Sequence, residues 1–261
     1  MPVIKKLGTA ELLFRSAQRL GLEPSWIVPR GLFAVTRNGK EEYINLSRSS
    51  INSHVATSLA SNKHLTRLIL ERHGMANIPF QRPTSYADAV AFLHTHHTIV
   101  AKPLQGSGSR DIHIITRAEQ LNQLTIEAYI LEKYITGAEM RYLILNESVI
   151  AVHRSEYGTS VDENRHLERF SVNPTHWDPV LVADSIKTAN ILGLNFSAID
   201  YLIGADGTYH ILEVNSTPGL KWFHAPSEGP AVDVATMFLQ ALMGTSNGAA
   251  PDAGFGTYAA A

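Results

Sequence analysis

The chain has 261 residues, 44% of them hydrophobic and 18% charged, with a formal net charge of −2 and no cysteine. It is long enough to bury a sizeable core, as one large domain or two to three subdomains. The missing cysteines exclude disulfides, thiol nucleophiles, cysteine-ligated zinc and iron–sulfur clusters, and the charge balance gives no electrostatic case for nucleic acid or an anionic membrane as partner. No apolar run approaches the roughly 20 residues of a spanning helix and the first residues carry no signal-peptide pattern, so the expectation is a cytoplasmic enzyme.

Residues 1–50 read as a short N-terminal region: one helix, TAELLFRSAQRLG, capped by Thr9 and closed by Gly21, then a hairpin at Asn38-Gly39. Residues 51–131 alternate helix and strand, with NKHLTRLILERHG and SYADAVAFLH as helices and TIVAKP as a strand. Residues 132–243 carry further hairpins, a helix opened by Asp178-Pro179 and a closing helix, PAVDVATMFLQALMG. Residues 244–261 are Gly/Ala-rich without periodicity and read as a disordered tail outside the fold. HTHH at 94–97 ends an amphipathic helix, where imidazolium complements the helix dipole, and is read as that rather than as a metal site. No P-loop and no nucleophile elbow is present, and GSGSRD at 106–111 lacks the third glycine of a dinucleotide fingerprint.

Three stretches carry chemistry. In SAIDYLIGADGTYHILEVN, taking Asp206-Gly207 as a two-residue type I′ loop pairs Ala205 with Thr208, Ile203 with His210 and Asp200 with Glu213. Glu213 and Asn215, two apart on a strand, then face the same way. Two carboxylates directly opposite each other destabilise a ladder by up to about 1 kcal/mol, unless a cation lies between them. The hairpin alone leaves two readings, a solvated charged face or an all-oxygen site suited to Mg²⁺. TIVAKPLQGSGSRDIHII places Lys102 and a Gly/Ser loop between two strands, either a phosphate cradle or an ordinary hairpin. In EMRYLILNESVIAVHR, a loop at Asn146-Glu147 pairs Arg141 with Val152 and Glu139 with Arg154. Glu139, Arg141 and Arg154 are thereby expected on one face, either a solvated salt-bridged surface or a pair of guanidiniums suited to phosphoryl charge or a carboxylate, with Tyr142, Ile144, Val149 and Ala151 on the other.

Taken in order, Lys63, Lys102, the Gly106–Gly108 loop, LEKYITGAEMR, an arginine strand, Asp200 and EVN resemble the ATP-grasp superfamily over about residues 50–243. GAEMR and EVNSTPGL look most like the RimK-type and glutathione-synthetase-like branch of carboxylate–amine ligases. The resemblance implies an α+β ATP-grasp fold: two subdomains, 51–131 and 132–243, holding ATP between antiparallel sheets, behind a shortened N-terminal region. It implies that Lys63 and Lys102 contact the ATP phosphates and that the loop with Gly106, Ser107 and Gly108 closes over them. Glu132, Lys133 and Ile135 would hold adenine through backbone groups, and Glu139 the ribose. Arg141 and Arg154 would bind the γ-phosphate and the reacting carboxylate. Asp200, Glu213 and Asn215 would bind Mg²⁺, with Mn²⁺ as an alternative, and the Gly219 backbone would face the tetrahedral intermediate.

The activity so implied is amide formation through an acylphosphate, from small-molecule or peptide carboxylate and amine substrates, in a monomer or a homo-oligomer. Two alternatives stand beside it: an ATP-grasp phosphotransferase and a non-catalytic nucleotide-binding module. Departures from the family pattern are the short N-terminal region, Ala198 where D-alanine–D-alanine ligases carry arginine, and the altered stretch SEYGTSVDENRHLERFSVNPTHW. No side chain is singled out as general base.

Overall fold

Three antiparallel sheets organise the chain, described in a computed structural model over residues 7–106, 111–157 and 167–244. The first follows helix α1 (Thr9–Arg19) and is built in the order β1 (Glu23–Val28), β2 (Leu32–Arg37), β3 (Lys40–Asn45). Asn38 and Gly39 both take positive φ, 49° and 76°, as a type I′ turn requires. Thr9 is not the helix cap. Gly8 holds that position, and the Thr9 hydroxyl instead accepts a 3.1 Å hydrogen bond from the Leu220 amide, a tertiary contact invisible to local sequence rules.

Helices α2 (His54–Ser61) and α3 (Lys63–Arg72) lead into the second sheet. Its strands are β4 (Phe80–Gln81), β5 (Ile99–Pro103), β6 (His113–Ile115) and β7 (Tyr129–Lys133), in the order β4-β7-β5-β6. Helix α4 (Tyr86–His96) covers one face, packing Phe92 and Leu93 with Ile99, Ala101, Ile115 and Leu131. The alternation of β5 and β7 therefore turns Val100, Lys102 and Glu132 to the other face.

The third sheet runs β10-β9-β8-β11-β12, from β8 (Ala138–Leu145), β9 (Ser148–Tyr157), β10 (Leu167–Ser171), β11 (Phe196–Ile203) and β12 (Tyr209–Asn215). One face packs Tyr142, Ile144, Val152, Ile199, Tyr201 and Val214 against α2, α3 and α5 (Pro179–Leu192). The opposite face is divided. Leu143, Leu145, Phe196 and Ala198 are roofed by α1, the first sheet and the closing helix α7 (Val234–Met243). Farther along the same strands, Glu139, Arg141, Asp200 and Leu202 lie beyond that roof.

Two β-bulges decide which side chains reach that face. In β12, Leu212 is the extra residue, because Asp200 pairs with Glu213 but Tyr201 pairs with Ile211. The loop is Ala205–Gly207, closed by Gly204 N–H donating to the Thr208 carbonyl, rather than the expected Asp206-Gly207 pair. Ile203 thus faces Tyr209 and not His210. The bulge cancels that one-residue offset, so the expected Asp200–Glu213 pairing holds.

In β9, Ile150 is the extra residue, and nothing cancels it. Arg141 pairs with His153, Glu139 with Ser155, and Arg154 with Met140. The expected Arg141–Val152 and Glu139–Arg154 pairs are overturned, and Ala151 moves to the face of Leu143. Arg154 consequently points away from Arg141.

The two larger sheets are joined by residues 134–137, and at Gly137 the backbones nearly touch: an added Cβ would lie 2.5 Å from the Ile203 carbonyl oxygen. Because the obstruction is backbone, a methyl group there must push the strands apart. Gly137→Ala is expected to cost about 1–3 kcal/mol, in the range of core overpacking, read as a lowered denaturation midpoint at unchanged m-value.

Candidate active site

A cleft of about 510 Å³ separates the second and third sheets. Val100, Lys102, Ile114 and Glu132 line it from one sheet, Glu139, Leu202, Leu212 and Glu213 from the other, and Lys63 and Arg67 from α3. Lys133, Ile135 and Gly106 also reach it. Sequence reasoning placed Lys63, Lys102, Gly106, Glu132, Lys133, Ile135, Glu139 and Glu213 at one site, and the fold brings them to this one. Ser107 and Gly108 lie outside the described residues.

Lys63 begins α3, whose cap Asn62 accepts hydrogen bonds from the His64 and Leu65 amides. Its ammonium donates to the Gly106 carbonyl at 3.1 Å, tying the helix start to the glycine loop. Lys102 is held differently, with Nζ 2.6 Å from Glu132 Oε2. Glu132 is buried, and its second oxygen accepts from Arg67 Nε at 2.7 Å. Burial alone would raise the Glu132 pKa, but Arg67 and Lys102 outweigh it and hold the carboxyl at about 2. The Glu132 side chain thus belongs to a buried charge cluster. Sequence reasoning, which gave Glu132 a place in an adenine-binding segment acting largely through backbone groups, missed this and missed Arg67 altogether. The only signal was an arginine on the inner face of the helix in KHLTRLILER, which single-sequence periodicity does not separate from a snorkelling surface residue.

Across the third sheet, Ser171, His153, Arg141, Asp200 and Glu213 form one transverse row on the divided face. Arg141 grips Asp200 through two parallel hydrogen bonds, Nε to Oδ1 at 2.5 Å and Nη2 to Oδ2 at 2.6 Å. Burial, then the neighbouring Asp200, raises the Glu213 pKa above the ordinary carboxylate value. Glu139 is raised for the same two reasons. Two carboxylates facing each other with their charge incompletely balanced is the electrostatic condition a divalent cation relieves. Asn215, two residues beyond Glu213 on the same face, adds an amide oxygen, which here accepts from the Thr217 amide at 2.8 Å. Among the described residues no group of three His, Cys, Asp or Glu is placed to hold a metal; Asp200, Glu213 and Asn215 together present two carboxylates and one amide oxygen.

Gly219 is exposed, but the connection after β12 that carries it is largely buried and is backed by two contacts to the N-terminal region: Ser47 Oγ donates to the Pro218 carbonyl at 2.8 Å, and the Leu220 amide donates to Thr9. Arg154 stays outside the row. Its guanidinium pairs with Glu156 at 2.8 Å, with both side chains about half exposed, and lies 5.5 Å from the Phe170 ring centroid. The second arginine on the cleft face is Arg169, opposite Ser155, with its guanidinium 5.3 Å from the Trp222 ring. Its only signal was the short LERFS strand, which lacks clean alternation and whose facing depends on the β9 bulge. His153 was missed as well. It is buried beside Arg141, its Nδ1 has no hydrogen-bond partner among the described residues, and burial together with Arg141 and Arg169 holds its pKa well below the ordinary histidine value.

Residues 60–242 match the RimK-like ATP-grasp domain. The chain belongs to that family. It is 26% identical to a probable alpha-L-glutamate ligase of Aeromonas salmonicida (strain A449) over 246 residues, covering 83% of this chain and 76% of the relative. Among solved structures it resembles a bifunctional glutathione synthetase from Pasteurella multocida, with TM-score 0.66 and 14% identity, covering 93% of this chain and 45% of that one. It also resembles the ATP-grasp ligase PsnB, solved with a phosphomimetic variant of its minimal precursor, Mg and ADP (TM-score 0.63, 19% identity, 74% of this chain and 61% of that one). The relatives are named ligases, and the α+β ATP-grasp architecture read from the sequence is the one observed.

Two outcomes follow from the charge arrangement. The folded-state pKa of Glu132 is depressed, so its stabilisation is fully present above its unfolded value of 4.5 and is lost as pH falls towards 2. Acid titration of unfolding free energy should show that loss in the wild type and not in Glu132→Gln. Arg154→Ala, which breaks a half-exposed pair, should cost at most about 1 kcal/mol and leave nucleotide binding, measured by calorimetry, unchanged.

Proposed function

We propose that this RimK-like ATP-grasp chain is an ATP-dependent carboxylate–amine ligase acting on an amino acid or peptide through an acylphosphate. The observation that carries the reading is the direct opposition of Asp200 and Glu213, with Arg141 beside them, on the sheet whose Glu213 lines a cleft shared with Lys102 and Lys63. Lysines on one wall and an oxygen-donor set on the other suit a nucleotide triphosphate lying between the sheets.

In this reading the 132–135 segment receives the adenine and Glu139 the ribose. Lys63 and Lys102 neutralise the phosphates, and Asp200, Glu213 and Asn215 hold Mg²⁺. When bound, the cation neutralises phosphate charge and orients the γ-phosphoryl group. Arg141 exchanges Asp200 for the γ-phosphate and the attacking carboxylate, whose oxygen takes the phosphoryl group as ADP leaves. The substrate amine then attacks the acyl carbon, the amide N–C bond forms, phosphate departs with the C–O electron pair, and the proton lost by the amine passes to substrate or solvent. The Gly219 backbone N–H would donate to the tetrahedral oxyanion. Arg169 takes the second guanidinium role assigned from sequence to Arg154, because it stands on the cleft face. Catalysis of this kind rests on positioning and charge neutralisation rather than on a protein nucleophile.

The test is Mg²⁺-dependent phosphate release from ATP with amino acids and dipeptides as acids and hydroxylamine as amine, scored for hydroxamate. Arg141→Ala should lower turnover by roughly 10²–10³ with a much smaller change in ATP affinity, since its contribution is greatest in the transition state. Near-normal turnover in that variant would remove the catalytic assignment. A phosphorylated product that hydroxylamine fails to intercept would move the reading to a phosphotransferase.

A further inference from the structure

Arg67 is the most heavily engaged side chain near the cleft. It sits on α3 with only 4% of its side chain exposed. Nε donates to Glu132 Oε1 at 2.7 Å; Nη1 donates to Asn77 Oδ1 at 2.9 Å and to the Ile211 carbonyl at 2.6 Å; Nη2 donates to the Leu212 carbonyl at 2.8 Å. On one side, Glu132 passes the constraint to Lys102. On the other, the two carbonyls belong to the β12 bulge, and the residue after the bulge is Glu213. A bulge disrupts the ladder locally and leaves the extra residue unpaired. Here the guanidinium takes up the carbonyls of the bulged residue and the one before it. Its planar fork can serve both directions at once, which a single ammonium cannot do.

We propose that Arg67 is a positioning residue: it sets the cation-binding strand in register with the nucleotide-binding lysine, and so couples the metal and phosphate halves of the site. This rests on the ATP–Mg²⁺ reading given above. A purely structural Arg67 would anchor a buried carboxylate and do no more. A positioning Arg67 also fixes where the Glu213 carboxylate stands, so its loss is read in metal dependence. Residues that orient metal ligands typically change metal affinity by about 10–100-fold when altered.

The experiment measures ADP binding to the whole chain by calorimetry, with and without Mg²⁺, in the wild type, Arg67→Lys and Glu132→Gln. Arg67→Lys is expected to lose about 10-fold or more of the Mg²⁺-dependent gain in ADP affinity. Glu132→Gln frees Lys102 without touching the bulge. It is expected to weaken metal-free ADP binding and keep the Mg²⁺ gain. A folded Arg67→Lys that retains the wild-type Mg²⁺ gain overturns the proposal, as does an identical profile in the two variants. If Arg67→Lys does not fold, Asn77→Ala, which removes one acceptor orienting Nη1, takes its place, with a loss of about threefold or more in the same gain expected and an unchanged gain decisive against. A wild-type chain with no Mg²⁺ gain would sink the ATP–metal reading together with this role; a gain present in wild type and intact in Arg67→Lys sinks this role alone.

Discussion

The buried cluster of Arg67, Glu132 and Lys102 is the constraint on which the cleft depends. Taking a carboxylate and two cations out of water is expensive, and attraction offsets that cost only where the geometry is good and remaining donors find partners. Glu132 meets the condition with both oxygens occupied, at 2.7 and 2.6 Å. Arg67 meets it by spending its remaining donors on Asn77 and on two backbone carbonyls of another sheet. Removing one partner would strand a buried charge, typically at about 3–5 kcal/mol. Helix α3, strands β5 and β7, and strand β12 are therefore not independently adjustable.

The third sheet shows how one strand face serves two ends. Residues of the same parity on β8 and β11 are apolar where α1, the first sheet and α7 roof them, and, Leu202 apart, charged where the roof stops. The short N-terminal region thus contributes core rather than cleft. Its reach to the site is indirect, through Thr9 and Ser47 on the backbone after β12; Asn52, just past that region, is tied to β11. The Asn52 side-chain oxygen accepts from the Asn195 and Phe196 amides at 2.9 Å each, while its amide donates to the Phe196 carbonyl at 2.7 Å.

What could be read from sequence followed local rules and stopped where tertiary geometry intervened. The type I′ turn at Asn38-Gly39, the Asp178 cap with Pro179 behind it, and the helix and strand content all depend on neighbours in the chain. The Asp200–Glu213 pairing was reached through a wrong loop, and it survived because Leu212 restores the phase. Arg154 was misplaced by the same kind of defect in β9, where Ile150 shifts the phase by one and reverses every side chain beyond it. An apolar residue such as Ile150 gives no hint that it will bulge. Arg67, Arg169 and His153 were missed because their meaning lies in partners 50 or more residues away, or across a strand pairing that only the fold defines.

The resting ion pairs bear on how fast the site fills. Arg141 already holds Asp200, and the single Glu132 carboxylate is shared by Arg67 and Lys102, so the surplus positive charge of that cluster and of Lys63 on one wall is offset by Glu139, Asp200 and Glu213 on the facing sheet. On a chain of net charge −2, such a cleft projects little positive field into solvent, and long-range attraction contributes correspondingly little to encounter. On the proposed nucleotide role, loading would then proceed by partner exchange inside the cleft rather than by electrostatic capture outside it. The association rate for nucleotide should accordingly change little with ionic strength.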